Sequence, residues 1–476
     1  MAAPEIAIND NTASRMRVDR LLHFARKMTL EGRCPLAMEA LGMATQCDIA
    51  QGINVMDSLE NVAIVAGHYR EMCSVTKEWA SIPPHPKLPP GKRIRLAYVV
   101  PGIVGGNAQT RRVQGLVQHR DRDRYDVRVY STEDFSVRPY PLLWLFQSLA
   151  GSAVRGEEVL KEMYEDKVKT YIAPVEGTLL DTAYEVAHAI TDFRPHVVLY
   201  QGSIAAPILC ILAGWHLAPV QVSFNTGVPM YMPHIDLTLY ASAAKLQQEA
   251  QSWNPNRGGL ALMPPAVSIP PPAGSELQNN DLPPRRAGGT VCITVSNHPQ
   301  VRLSKEFVQT LIPVLKANPL VEYWVMGSGD CTQQLADFEA AGVAHQVAFL
   351  GGRNDIWPGL RKADIYLNEF PIGGAQSVME AMACGLPIVA GVYSGKHQHN
   401  CGAGYIGPTA IHPFSTAAYA DRMTKLIQDE DYRKTEGAAM WERVDKFFRY
   451  DIVTKQYEQL YESLLADKAA GHGQSK

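Results

Sequence analysis

A chain of 476 residues exceeds what one hydrophobic core usually serves, so its length predicts two domains with an addition. With 46% apolar and 20% charged residues and a formal net charge of −3, the composition is that of an ordinary globular protein, and the want of a basic excess argues against a nucleic-acid partner. The eight cysteines form no CxxC pair and show no metal spacing; they read as reduced structural thiols of a cytoplasmic protein. The N-terminal MAAPEIAINDNTASRMRVDR has no apolar signal core, and no run approaches the ~20 apolar residues of a membrane span.

In chain order, residues 14 to about 80 repeat apolar side chains at helical spacing: Leu21, Leu22, Phe24 and Ala25, then Ala37, Ala40 and Leu41, then Val62, Ala63, Val65 and Ala66. Residues 1–80 are therefore expected to form an N-terminal helical region. The proline-rich SIPPHPKLPPGK (81–92) is a stiff connection into a domain over 81–252. RIRLAYVV (93–100) predicts a strand, followed by a glycine loop carrying Gly105, Gly106 and Asn107, where bare backbone can approach a ligand. YDVRVYS (125–131), HVVLYQ (196–201) and VQVSFN (220–225) predict further strands. Buried apolar strands alternating with helices mark a parallel, doubly wound α/β sheet.

Residues 253–289 are rich in Pro and Gly and are read as a linker. The alternation restarts in a second domain, 290–476, with VCITVSN (291–297), a helix from about 304, VEYWVMG (321–327), VAFLG (347–351) and closing helices over about 415–466. Beyond Asn297, Arg302 and Lys305 place cations where a pyrophosphate would need neutralising, the arginine with two-pronged geometry. From Ala363 to Gly391 an apolar strand meets the Gly373-Gly374 turn and a short helix bearing Glu380; Cys384-Gly385-Leu386-Pro387 then breaks into a second strand. Such a unit directs the N–H groups near Gln376 and Ser377 at one spot, which suits a phosphate, and Glu380 could bind a ribose hydroxyl. An ordinary strand–helix–strand crossover would use the same glycines for packing alone. His397 and His399 follow in the next loop; no nearby Cys or His completes a tetrahedral zinc set. No DxD ends a strand to hold Mg²⁺ beside a diphosphate, so neither a metal nor another cofactor is expected.

The segment from Ala363 to Gly391 resembles the donor segment of GT-B-fold glycosyltransferases, above all the O-GlcNAc transferase family and the related bacterial protein N-glucosyltransferases. That resemblance implies two Rossmann-like domains facing a cleft, here with an N-terminal helical appendage. It implies that the turn and helix start at Gly374, Ala375, Gln376 and Ser377 hold a diphosphate and that Glu380 holds the ribose. A lysine of the family stands at about the place of Arg302, and a similar His-x-His near the nucleotide corresponds to His397 and His399. EAMACGLPIV is shared with retaining GT-B enzymes, but their second glutamate, eight positions earlier, is Ile372 here, which argues against that branch.

GGNAQTRR resembles the glycine-rich start of many such transferases, although the histidine proposed for catalysis near that turn in the O-GlcNAc transferases is absent between His85 and His119. Residues 221–242 resemble the family segment that would bring Asn225, His234 and Asp236 to the cleft from the acceptor half, with His234 a candidate base. A surface loop is the alternative for that triplet. The implied function is metal-independent transfer of a hexose or N-acetylhexosamine, with inversion, from a nucleotide sugar (a UDP-hexose) to a polypeptide side chain. A glycan, lipid or small-molecule acceptor is the alternative within the class. Outside it stands a catalytically silent GT-B protein that binds an acceptor or stabilises a partner transferase. A homo-oligomer or a partner transferase is the expected protein assembly. No tetratricopeptide array is visible.

Overall fold

The computed structural model describes residues 11–50, 59–78, 80–88, 91–103, 108–134, 157–226, 229–241, 243–252, 258–272, 282–296, 299–353, 355–392 and 399–471. The chain divides into two units, Met1–Met263 with Thr454–Lys476, and Pro264–Val453. Helices α1 (Asn11–Leu30), α2 (Cys34–Ala50) and α3 (Leu59–Thr76) open the first. Its sheet has seven parallel strands among the described residues: β1 (Ile94–Val100), β2 (Tyr125–Ser131), β3 (Lys169–Ile172), β4 (Val197–Gly202), β5 (Val220–Asn225), β6 (Leu237–Tyr240) and β7 (Gly259–Leu262). The order is β3-β2-β1-β4-β5-β6-β7, with α4 (Ala108–Gln118), α5 (Glu157–Glu165), α6 (Leu179–Phe193), α7 (Pro207–Trp215) and α8 (Ala243–Ser252) in the connections.

Local chemistry sets these elements. Every residue of β4 and β5 is buried, as both faces of a central parallel strand require. A capping box starts α6, with the Thr178 hydroxyl accepting from Asp181 N–H and the Asp181 carboxylate accepting from Thr178 N–H; the left-handed Arg194 ends it. The helix α7, PILCILAGW, is apolar all round and wholly buried. The N-terminal helices supply its outer cover. A methyl on Gly214 would lie 2.3 Å from Cys73 Sγ, the Trp215 indole donates to Thr76 Oγ1 at 3.0 Å, and the Trp215 ring stacks on Tyr184 at 4.9 Å. These helices thus share one core with the sheet.

The expected linker 253–289 contains structure. Residues Gly259–Leu262 form the edge strand β7, paired with β6, and Val267 bridges to Arg449. Gly258 has φ +83°, and a methyl there would lie 2.2 Å from the Ile235 carbonyl oxygen. Those glycines permit close approach of backbone to backbone rather than looseness.

In the second unit β8 (Val291–Val295), β9 (Glu322–Met326), β10 (Val347–Phe349) and β11 (Ile365–Leu367) are followed by β12 (Ile372–Gly373), β13 (Ile388–Val389) and β14 (His399–Asn400). Five of them form a parallel sheet in the order β10-β9-β8-β11-β13, and β12 pairs with β14. The helices are α9 (Pro299–Arg302), α10 (Lys305–Ala317), α11 (Thr332–Ala340), α12 (Trp357–Lys362), α13 (Gln376–Ala383), α14 (Thr416–Gln428), α15 (Glu430–Arg443) and α16 (Tyr450–Gly471). The last helix does not stay with the expected 290–476 domain. From Thr454 it belongs to the first unit, where Tyr125 Oη donates to Glu462 Oε1 at 2.8 Å, Arg124 pairs with Glu462 at 2.6 Å and Lys468 pairs with Asp236 at 2.6 Å. Among the described residues no helix is long and apolar enough to cross a membrane.

Strand order reverses between β1 and β4 in the first sheet and between β8 and β11 in the second. Ligands of open α/β sheets bind at such switch points, beyond the carboxyl ends of the strands.

Candidate functional site

The second switch point gathers most of the predicted donor residues that can be described. β8 ends at Val295, and α9 carries the chain to Arg302; Asn297 lies outside the described residues. Ser304 then caps α10, accepting from Phe307 N–H at 3.1 Å, and its hydroxyl donates to the Phe370 carbonyl at 2.8 Å. That bond ties the Arg302 loop to the loop beyond β11. Beneath it Phe370 meets Phe307 at 5.3 Å, Phe414 at 4.8 Å and Tyr419 at 5.0 Å between ring centroids, a rigid aromatic floor.

On this floor the glycine turn is fixed by side chains. The Gly374 N–H donates to Asn368 Oδ1 at 3.0 Å, and Tyr419 Oη donates to the Asn368 carbonyl at 3.0 Å. Tyr366 Oη donates to Ser377 Oγ at 2.8 Å in the first turn of α13. A methyl on Gly374 would lie 2.3 Å from Ser377 Oγ and 3.7 Å from Arg302 Nη1, so the guanidinium lies close beside the turn. Helix α13 has no side-chain cap at Ala375, which leaves its first N–H groups, near Gln376 and Ser377, for another acceptor. Gln376 Oε1 is buried without a hydrogen-bond partner among the described residues. Glu380, one turn on, is only 2% exposed, with Gln376 Nε2 at 3.5 Å from its Oε1.

Of the two predicted cations Arg302 is the one beside the turn, while Lys305 is exposed at the start of α10. Gly373 pairs with Asn400 and Ile372 with His399, so the strand bearing His399 runs along the turn; His397 lies outside the described residues. The sequence reading missed Glu369, which is fully buried and pairs with Arg302 at 3.4 Å. Burial raises its carboxyl above the usual range, and the Arg302 charge opposes that shift. Also missed was Gly402, where a methyl would lie 2.5 Å from the Gly374 carbonyl oxygen. Gly327, just beyond β9, packs against the same loop: a methyl there would lie 1.7 Å from the Ser296 carbonyl oxygen.

In the first unit the predicted residues separate. Gly105, Gly106 and Asn107 lie outside the described residues, between β1 and α4. Asn225 ends β5 at the carboxyl edge, 9% exposed. His234 and Asp236, expected beside it, lie at the opposite edge. Asp236 N–H donates to the Gln221 carbonyl at 2.8 Å and its Oδ2 accepts from Gln221 N–H at 2.8 Å, at the amino end of β5. Four residues of strand, about 13 Å, separate that level from Asn225. The reason is register: β6 runs parallel to β5, so the segment entering β6 lies where β5 begins. Asp236 also holds Lys468 of α16.

His234 stacks on His216 at 4.4 Å, and His85 Nε2 donates to the His216 carbonyl at 2.7 Å. Burial lowers the His234 pKa, with nearby Lys77 adding to the effect. Both residues thus lie away from the carboxyl edge, where ligands of such sheets bind. The carboxyl edge of the first sheet instead carries Glu133 (φ +53°) and Asp134 beyond β2, whose carboxylate accepts from Ile208 N–H at 2.7 Å. The signal, Thr132-Glu133-Asp134 directly after a strand, was in the sequence.

Residues 289–429 match the family described as glycosyl transferases group 1. Among curated proteins the chain is 26% identical over 189 residues to N-acetyl-alpha-D-glucosaminyl L-malate synthase of Bacillus anthracis, a match that spans 38% of this chain and 47% of that protein. Among solved structures it is similar to an O-GlcNAc transferase variant of Thermobaculum terrenum, with a TM-score of 0.58 and 14% identity over 97% of this chain and 99% of that one. HepE of Anabaena in complex with UDP-glucose is similar with a TM-score of 0.56 and 15% identity over 78% of this chain and 100% of that one. Two parallel sheets of this order, with the Arg302 and Gly374 loops at the second switch point, are therefore those of a GT-B glycosyltransferase fold, and residues 289–429 carry a group 1 glycosyl transferase domain.

Proposed function

We propose that the protein transfers a hexose or N-acetylhexosamine from a UDP-sugar to an acceptor nucleophile, a polypeptide side chain first. One observation carries this: the Arg302 guanidinium stands against Gly374 at a helix start without a side-chain cap, at the switch point of the second sheet. In transfer, the bond from the sugar C1 to the β-phosphate oxygen breaks and its electron pair leaves with the diphosphate. The acceptor bonds to C1 and gives up a proton. Negative charge thus grows on the β-phosphate, where Arg302 and the first N–H groups of α13 would stabilise it; a comparable preorganised donor elsewhere lowers a barrier by roughly 3–4 kcal/mol. Glu380 would hold the ribose. HepE, whose structure holds UDP-glucose, supports the choice of nucleotide. The likeness to an O-GlcNAc transferase extends over 97% of this chain, too much to omit the N-terminal helices, and supports a protein acceptor.

The test is a panel of nucleotide sugars with purified protein and no acceptor, read by mass spectrometry for released nucleotide. Slow hydrolysis of one UDP-sugar is expected, unchanged by EDTA. Silence across the panel together with no binding of UDP would reject the reading in favour of a silent partner protein.

A further inference from the structure

A fully buried carboxylate lies beside the cation of this site. Glu369 is 0% exposed and pairs with Arg302 through Oε1 at 3.4 Å, while its Oε2 has no hydrogen-bond partner among the described residues. Removing a carboxylate from water is costly unless it is paired and hydrogen-bonded. The groups facing it do little to meet that cost. They are the Arg302 guanidinium, the Glu369 backbone N–H, which favours the charged form, the phenols of Tyr323 on β9, Tyr366 on β11 and Tyr419 on α14, and the Ser296 hydroxyl, near enough to favour the charge but outside hydrogen-bond geometry. Arg302 is the one cation among them. Its side chain is 29% exposed, with one side on Glu369 and Nη1 close to Gly374.

A diphosphate at the glycine turn would therefore meet a cation already matched by a carboxylate. Arg302 with Glu369 sums to no net charge, and two anions would compete for one guanidinium. A proton on Glu369 removes the competitor.

We propose that Glu369 positions Arg302 in the empty site and takes up one proton from solvent when a nucleoside diphosphate binds, so that the whole guanidinium charge turns to the phosphates. This rests on the donor reading of the same site. Only one O–H bond forms, on the Glu369 carboxylate; the proton comes from bulk solvent on binding and returns to it on release. Burial already disfavours the charged carboxylate, and a phosphate drawing on Arg302 weakens the one strong attraction opposing it.

The test is calorimetry of UDP binding to the full chain in buffers of different ionisation enthalpy, for the wild type and Glu369→Gln. The wild type should take up about one proton more than the variant, because the nucleotide's own titration is common to both and cancels in the difference. Between about pH 7 and 9, where the phosphate is already ionised, wild-type affinity should fall by up to about tenfold per pH unit, while Glu369→Gln should stay flat. Equal proton counts, or wild-type affinity that is level over that range, would overturn the proposal; the second result needs no variant and so does not depend on one folding. A wild type that binds no UDP rejects the donor reading itself, and the proposal with it. UDP bound without the proton rejects the proposal alone.

Discussion

Gly402→Ala probes the glycine turn from behind, without replacing any residue proposed to meet a ligand. The added methyl would lie 2.4 Å from Asn368 Nδ2, 2.5 Å from the Gly374 carbonyl oxygen and 2.6 Å from Val378 Cγ2. Asn368 and Val378 could rotate, but the Gly374 carbonyl is backbone. Rotation of Asn368 would also surrender the bond it accepts from Gly374 N–H. Overpacking costs about 1–3 kcal/mol and the lost hydrogen bond about 1 kcal/mol, a total of roughly 2–4 kcal/mol. For a unit of this size that lowers Tm by about 4–16 °C. The cheapest relaxation moves the turn, and losing one of its hydrogen bonds to a charged diphosphate costs about 1.5–3 kcal/mol, so UDP affinity should fall at least about tenfold. Thermal unfolding and UDP calorimetry well below the transition read the two effects separately. A lowered Tm with wild-type affinity would remove the 373–374 turn from the nucleotide site, and an unchanged Tm would refute the packing argument.

Glu380→Ala should weaken UDP binding by about tenfold or more, the loss of one hydrogen bond to a charged group, and unchanged affinity would take Glu380 out of the site. Arg302→Ala should lower turnover by about 100- to 1,000-fold, and Lys305→Ala by no more than a few-fold; the reverse ranking would name the wrong cation. His234→Ala should leave turnover within about twofold, since its ring lies at the amino edge of the first sheet, and a loss above tenfold would return it to the chemistry.

Acid should destabilise the fold through two neutral histidines. Burial lowers the pKa of His196, whose Nδ1 accepts from Arg95 N–H at 2.9 Å, to about 4, and that of His216 to about 3, with His85 and His234 contributing to the latter. The unfolded chain binds these protons below about 6.5, and the folded chain refuses them until about 4 and 3. Stability is thus fully present above about pH 6.5 and is lost as pH falls toward 4, by up to about 1.4 kcal/mol per pH unit for each histidine. Urea unfolding that gives the same stability at pH 7 and pH 5 would contradict this.

The apolar runs of β1, β4 and β5 are long enough and continuous enough to specify buried parallel strands by themselves, because both faces must be apolar in such a sheet. The strand–glycine turn–helix unit from Ile365 to Glu380 was legible for the same reason: its signals are local, within one turn and one helix. Partners brought together by crossovers were not. Arg302 and Glu369 are 67 positions apart, and nothing in the composition of either loop announces the other. Gly402 looked like one glycine among many until its backbone met the Gly374 carbonyl. His234 and Asp236 follow the strand that ends at Asn225 within a dozen residues, yet they stand at the other edge of the sheet. Sequence periodicity states which faces are buried; only the direction and register of strand pairing state which end of the sheet a loop occupies.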